Sequence, residues 1–126
     1  MILVLDDDDL RLQRFRLYAP KATCVKTAKE MIDLLAKTKA DLLFLDHDLN
    51  DETYVNSSRE DCGMEVVRYI TKNKPTIGQI IVHTHNPAAS PIMVADLKKA
   101  GYNAVAIPFA SLPWRNIRQA AQNIDG

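Results

Sequence analysis

Short apolar runs that break abruptly into acids and histidines recur along the chain. Ile2-Leu3-Val4-Leu5 runs into Asp6-Asp7-Asp8-Asp9, Leu42-Leu43-Phe44-Leu45 into Asp46-His47-Asp48, and Ile80-Ile81-Val82 into His83-Thr84-His85-Asn86. Three or four apolar residues in a row are too few for an ordinary helix and suit a strand buried on both faces. Each run therefore predicts a strand that delivers polar side chains to one rim of a sheet. Thr23-Cys24-Val25-Lys26 reads as an edge strand, and Asn103-Ala104-Val105-Ala106-Ile107 as a last strand halted by Pro108.

Between the strands the apolar spacing becomes helical. After Asp9, read as a cap, Leu10, Phe15, Leu17 and Tyr18 fit one face loosely and Pro20 closes the segment. Thr27 and Glu30 form a capping box ahead of a stripe of Ala28, Met31, Ile32 and Leu35. Gly63 opens a helix reaching Asn73, with Met64, Val67 and Ile70 inward. Ser90-Pro91 predicts a helix from Pro91 to Ala100, stopped by Gly101. Pro113 and Trp114 begin the final helix, whose Trp114, Ile117, Ala121 and Ile124 share a face. From Leu49 to Cys62 the chain is polar and predicts a long loop after the acidic rim, of a kind usually functional or mobile.

Strand and helix alternate five times over 126 residues. This predicts one α/β domain spanning 1–126, a doubly wound five-stranded parallel sheet with helices on both faces. In a flavodoxin-like order, 2-1-3-4-5, the ligand crevice lies beyond the carboxyl ends of the first and third strands. Those ends carry Asp6, Asp7 and Asp46-His47-Asp48.

Charge adds mainly exclusions. Sixteen basic and sixteen acidic residues leave no field for an extended nucleic-acid surface or an anionic membrane. No apolar run is long enough to span a bilayer and Met1 leads directly into a strand, so a cytoplasmic protein is expected. Cys24 and Cys62 lack metal-type spacing and read as reduced thiols.

Carboxylates converging at one rim repel one another unless a cation sits between them, and oxygen ligands suit Mg²⁺, Mn²⁺ or Ca²⁺. Asp6, Asp7 and Asp46 are the candidates, whereas Asp8 and Asp9 read as a cap and an acidic first turn. Arg11 or Arg14 could neutralise the acids or reach a phosphate, but either reads more simply as a solvated helix charge. Arg59 could close over a ligand from the long loop. Trp114 and Tyr102 read as packing residues.

With these motifs the chain resembles the receiver-domain superfamily, the fold of response regulators. That family places an acidic pair after the first strand, an aspartate after the third, Thr or Ser after the fourth and Lys-Pro after the fifth. The matching positions are Asp6 and Asp7, Asp46, Thr84, and Ile107-Pro108. The resemblance implies a divalent-metal site, Mg²⁺ or alternatively Mn²⁺, at Asp7, Asp46 and the backbone carbonyl of Asp48, with Asp6 beside them. It also implies Asp46 as an acceptor for a phosphoryl group. Ile107 departs from the pattern: it has neither the charge nor the donor of the family's lysine, which argues against ordinary phosphorelay.

Leu45-Asp46-His47-Asp48-Leu49 and His83-Thr84-His85-Asn86-Pro87 are similar to the L-D-H-D-L and H-[ST]-x-N-P motifs of cyclic-phosphate processing receiver-like domains. This narrower resemblance implies a metal-assisted phosphodiesterase acting on a cyclic phosphate of a nucleotide, signalling nucleotide or RNA end. His47, His83 and Asp46 would be catalytic, the two histidines flanking one phosphate, and Thr84, Asn86 and Arg59 would hold the substrate. His85 falls at the variable position and inherits no role. The rival readings are an atypical receiver, phosphorylated at Asp46 or sensing a ligand, and a nucleotide-sequestering protein without turnover. A homodimer through the last helix and strand is compatible with each.

Overall fold

The computed structural model describes residues 1–49, 56 and 58–125. Strands β1 (Ile2–Leu5), β2 (Thr23–Val25), β3 (Ala40–Leu45), β4 (Ile77–Val82) and β5 (Ala104–Ala106) alternate with helices α1 (Asp9–Tyr18), α2 (Ala28–Leu35), α3 (Gly63–Asn73), α4 (Ala89–Lys99) and α5 (Trp114–Asp125). The sheet is wholly parallel in the expected order β2-β1-β3-β4-β5. A short 3-10 turn, Phe109–Ser111, joins β5 to α5.

The pleat of the central strands feeds two cores, because successive side chains leave a strand on opposite faces. Ile2, Val4, Leu42, Phe44 and Ile81 meet Leu12 and Phe15 of α1 and Ile117 and Ala121 of α5. Leu3, Leu5, Leu43, Leu45, Ile80 and Val82 meet the apolar stripes of α2, α3 and α4. Continuous apolar runs were needed on β1, β3 and β4 because both faces are covered. Among the described residues no helix is long and apolar enough to cross a membrane.

Two helix readings change. Asp8, not Asp9, caps α1, its carboxylate accepting the Arg11 amide. The buried face of α1 is Leu12 and Phe15, while Leu10 and Leu17 are 76% and 62% exposed. Helix α4 begins at Ala89 instead of Pro91, since Asn86 Oδ1 accepts the Ala88 and Ala89 amides at 3.1 and 3.0 Å. Pro91 then lies in the first turn, where its missing N–H removes no helical bond.

The Thr27 cap and the Gly101 stop take the expected places. Thr27 Oγ1 accepts the Glu30 amide at 3.1 Å. Gly101 adopts φ +98° and closes α4 with the paired bonds of a Schellman motif, Gly101 N–H to Lys98 O and Tyr102 N–H to Leu97 O. Of the loop predicted after Leu49, residues 50–55 and 57 lie outside the described residues.

Gly63 marks the tightest approach in the fold. Its amide donates to His47 O at 2.9 Å, and a Cβ there would stand 1.8 Å from Asp46 O. Gly63→Ala must push α3 off the end of β3 and is expected to lower stability by about 3 kcal/mol. Urea unfolding checks this; an unchanged midpoint would mean that the close approach carries no energetic weight.

Candidate functional site

The ladder of the sheet continues one residue past each central strand and fixes the rim. Asp6 N–H donates to Val25 O, Asp46 N–H to Leu5 O and His83 N–H to Leu45 O, at 3.1, 3.1 and 2.9 Å. Asp6, Asp46 and His83 thereby inherit the pleat position that faces α1 and α5, and all three are buried. Their ligand atoms lie within 4.8 Å of one another, close enough to hold a metal ion. His83 Nε2 is 2.9 Å from Asp6 Oδ2, and its ring packs edge-on against Phe15 and Phe44. Among the described residues its buried Nδ1 has no hydrogen-bond partner.

Arg11 completes this centre. Its Nε and Nη2 donate to Asp6 Oδ2 and Oδ1 at 2.8 and 2.9 Å, Nη2 also reaches Asp46 Oδ2 at 3.4 Å, and Asp7 Oδ1 lies 3.9 Å away. The two buried carboxylates respond in opposite directions. Burial alone would raise Asp6, but the His83 and Arg11 hydrogen bonds bring it down to about 2. Burial raises Asp46 to about 6; the Asp6 charge adds to the rise, and His83 and Arg11 oppose it only in part. The hydrogen bonds to Asp6 hold the Arg11 guanidinium above its ordinary value.

A second network lies on the opposite layer. His47 Nδ1 is 2.7 Å from Asp48 Oδ1, and Asn86 Nδ2 donates to the same oxygen at 3.1 Å. Cys62, at the start of α3, is hydrogen-bonded to the His47 ring. Burial would raise the thiol, but His47 and the Met64 and Glu65 amides outweigh it and lower its pKa. Burial likewise disfavours the imidazolium, and Cys62 with Asp48 more than compensates, raising His47. Thr84 Oγ1 accepts the Asn86 amide at 3.1 Å. One bond joins the two networks: His47 N–H donates to Asp46 Oδ1 at 2.8 Å.

The expected site residues are thus divided. Asp6, Asp46 and His83 converge, Asp7 stands at the rim beside Arg11, and the Asp48 carboxylate turns to His47 and Asn86. The two histidines, expected to flank one phosphate, project to opposite layers. Arg59 lies against Asp61, with bonds of 2.9 and 2.6 Å. Sequence reasoning undervalued Arg11. The available signal was its position four residues before Phe15, which places both on the face of α1 turned toward the strand ends. The His47–Cys62 contact had no signal in the spacing.

A parallel sheet in the order 2-1-3-4-5 with acids at the ends of β1 and β3 defines a receiver domain, and solved receivers superpose over nearly the whole chain. A signal receiver domain from Vibrio parahaemolyticus shares 16% identity at a TM-score of 0.65, covering 99% of this chain and 96% of that one. A CheY-like receiver from Methanospirillum hungatei shares 19% at 0.65, covering 98% and 90%. Response regulator Rcp1, solved in its Mn²⁺-bound form, shares 13% at 0.55, also covering 98% and 90%. Within that class residues 1–99 match the cyclic-phosphate processing receiver domain, and the chain belongs to that family. No match is found among the curated proteins.

Two outcomes follow from the geometry. In metal-free protein, folded Asp46 keeps a proton that the unfolded chain releases between the ordinary 3.8 and about 6. Its contribution to stability therefore falls as pH rises through that window and is constant above it. Asp46→Asn removes this penalty, so thermal melts in chelator should show the variant more stable than wild type above pH ~6, by at most about 3 kcal/mol, the difference vanishing below pH ~4. Asn86→Ala removes the acceptor of the Ala88 and Ala89 amides and the donor to Asp48 and is expected to cost about 1–2 kcal/mol in urea unfolding; a smaller loss would mean that the Asn86 bonds are replaced by water.

Proposed function

We propose that this chain is a metal-assisted phosphodiesterase that opens a cyclic phosphate carried by a nucleotide or an RNA end. The observation that carries the reading is the convergence of Asp6, Asp46 and His83 beyond the sheet, in a chain whose family is described by cyclic-phosphate processing. The donor set fits a divalent ion. Burial raises Asp46, and His83 and Arg11 offset it only in part, so a further cation would stabilise its ionised form. An imidazole beside two carboxylates favours Mn²⁺ over Mg²⁺, which prefers oxygen throughout; the distant receiver Rcp1 holds Mn²⁺. When bound, such an ion supplies charge against the phosphoryl oxygens and makes a coordinated water more acidic.

The chain's own residues then divide the work. Asp6, Asp46 and His83 form the metal-holding centre, with Asp7 adding negative potential at its rim. The Asp48 carboxylate and Cys62 hold the buried His47 ring on the opposite layer, so His47 acts as a positioning residue that orients Asp46 through its backbone amide. Asn86 and Thr84 hold the turn that carries His83 and orient Asp48. Arg59, partly exposed, can exchange Asp61 for a phosphate oxygen.

The test is turnover of 2′,3′- and 3′,5′-cyclic nucleotides and of 2′,3′-cyclic RNA ends, followed chromatographically with Mn²⁺, with Mg²⁺ and with chelator. Turnover is expected with Mn²⁺ and to be abolished by chelator and by Asp46→Asn. Stoichiometric binding of a nucleotide without product would replace the hydrolase by a sensing or sequestering protein.

A further inference from the structure

Arg11 occupies the position in which a cation is needed. Its guanidinium takes both oxygens of Asp6 and approaches Asp46, so it engages the carboxylates of the group that can hold a metal. A guanidinium and a divalent ion cannot both make close contact with these oxygens, because they compete for the same lone pairs and repel each other. Arg11 can leave without a backbone change. Its side chain is 30% exposed and stands in the first turn of α1, whose place is fixed independently by the Asp8 cap and by buried Leu12 and Phe15. At the end of β5 the chain offers Ile107, which packs into the α1 and α5 core and brings no cation to the rim.

We propose that Arg11 and a divalent ion are alternative partners of Asp6 and Asp46, and that Arg11, once released, clamps the phosphate oxygens of the ligand. A freed guanidinium beside the rim has the planar fork of donors suited to two phosphate oxygens. Metal and phosphate therefore bind with positive coupling, and the coupling passes through Arg11. The phosphate half rests on the cyclic-phosphate reading above; the competition with metal does not.

Mn²⁺ titrations of the whole chain by EPR, with and without inorganic phosphate, test both halves. Arg11→Gln is expected to bind Mn²⁺ at least about tenfold more tightly than wild type without phosphate, because no internal cation must be displaced. Phosphate is expected to tighten Mn²⁺ binding about fivefold or more in wild type and to leave Arg11→Gln unchanged. Equal or weaker Mn²⁺ binding by Arg11→Gln overturns the competition, and coupling that persists in the variant overturns the clamp. Mn²⁺ bound by neither protein overturns the proposal together with the metal-assisted reading. Wild type that binds Mn²⁺ with the expected coupling but turns over no cyclic phosphate overturns only the hydrolase. Circular dichroism confirms that the variant is folded. Should Arg11→Gln fail to fold, Arg11→Lys keeps one charge without the fork, and it is expected to bind Mn²⁺ more tightly than wild type and to lose most of the coupling.

Discussion

The repulsion between two buried carboxylates governs this molecule's rim. Asp6 and Asp46 end adjacent parallel strands, and their backbone bonds to the sheet leave them little room to separate. Charges at the limiting separation of 4.8 Å repel by about 3 kcal/mol at an effective dielectric near ~20. The fold answers with a guanidinium and an imidazole, both directed mainly at Asp6. Burial pushes Asp46 up to about 6 and the Asp6 charge adds to the rise, while the His83 and Arg11 hydrogen bonds outweigh burial at Asp6 and bring it down to about 2. Such a pair is poorly satisfied by a single positive charge and well matched to two.

The pleat then decides what can act together. Leu45-Asp46-His47-Asp48-Leu49 reads as one string, but neighbouring side chains leave it on opposite faces, so Asp46 joins the α1 and α5 layer and His47 the α3 and α4 layer. The same alternation separates His83 from Thr84. The motif therefore builds two polar networks back to back across the end of the sheet, joined by the His47 amide on Asp46. A proton or charge change in one network is felt in the other through that bond and not through contact of the rings.

Most of the architecture was legible because β1, β3 and β4 are covered on both sides and had to be continuously apolar. Their polar terminations gave Asp6, Asp46, His47 and His83 directly. Helix α1 was harder to read, since exposed Leu10 and Leu17 compete with the true face of Leu12 and Phe15, and that same misreading concealed Arg11. The start of α4 was misplaced because Ser90-Pro91 is a strong local signal, whereas the turn before α4 is held by Asn86, which accepts the Ala88 and Ala89 amides and also holds Asp48. The contact between His47 and Cys62 depends on α3 closing onto β3 and has no signature in residue spacing.

That closure has a mechanical consequence. Leu49 is buried on one side of the polar stretch, and Gly63 is pinned against His47 on the other. Any displacement of the start of α3 is therefore passed through the Gly63 amide to His47 O, and through the His47 amide to Asp46.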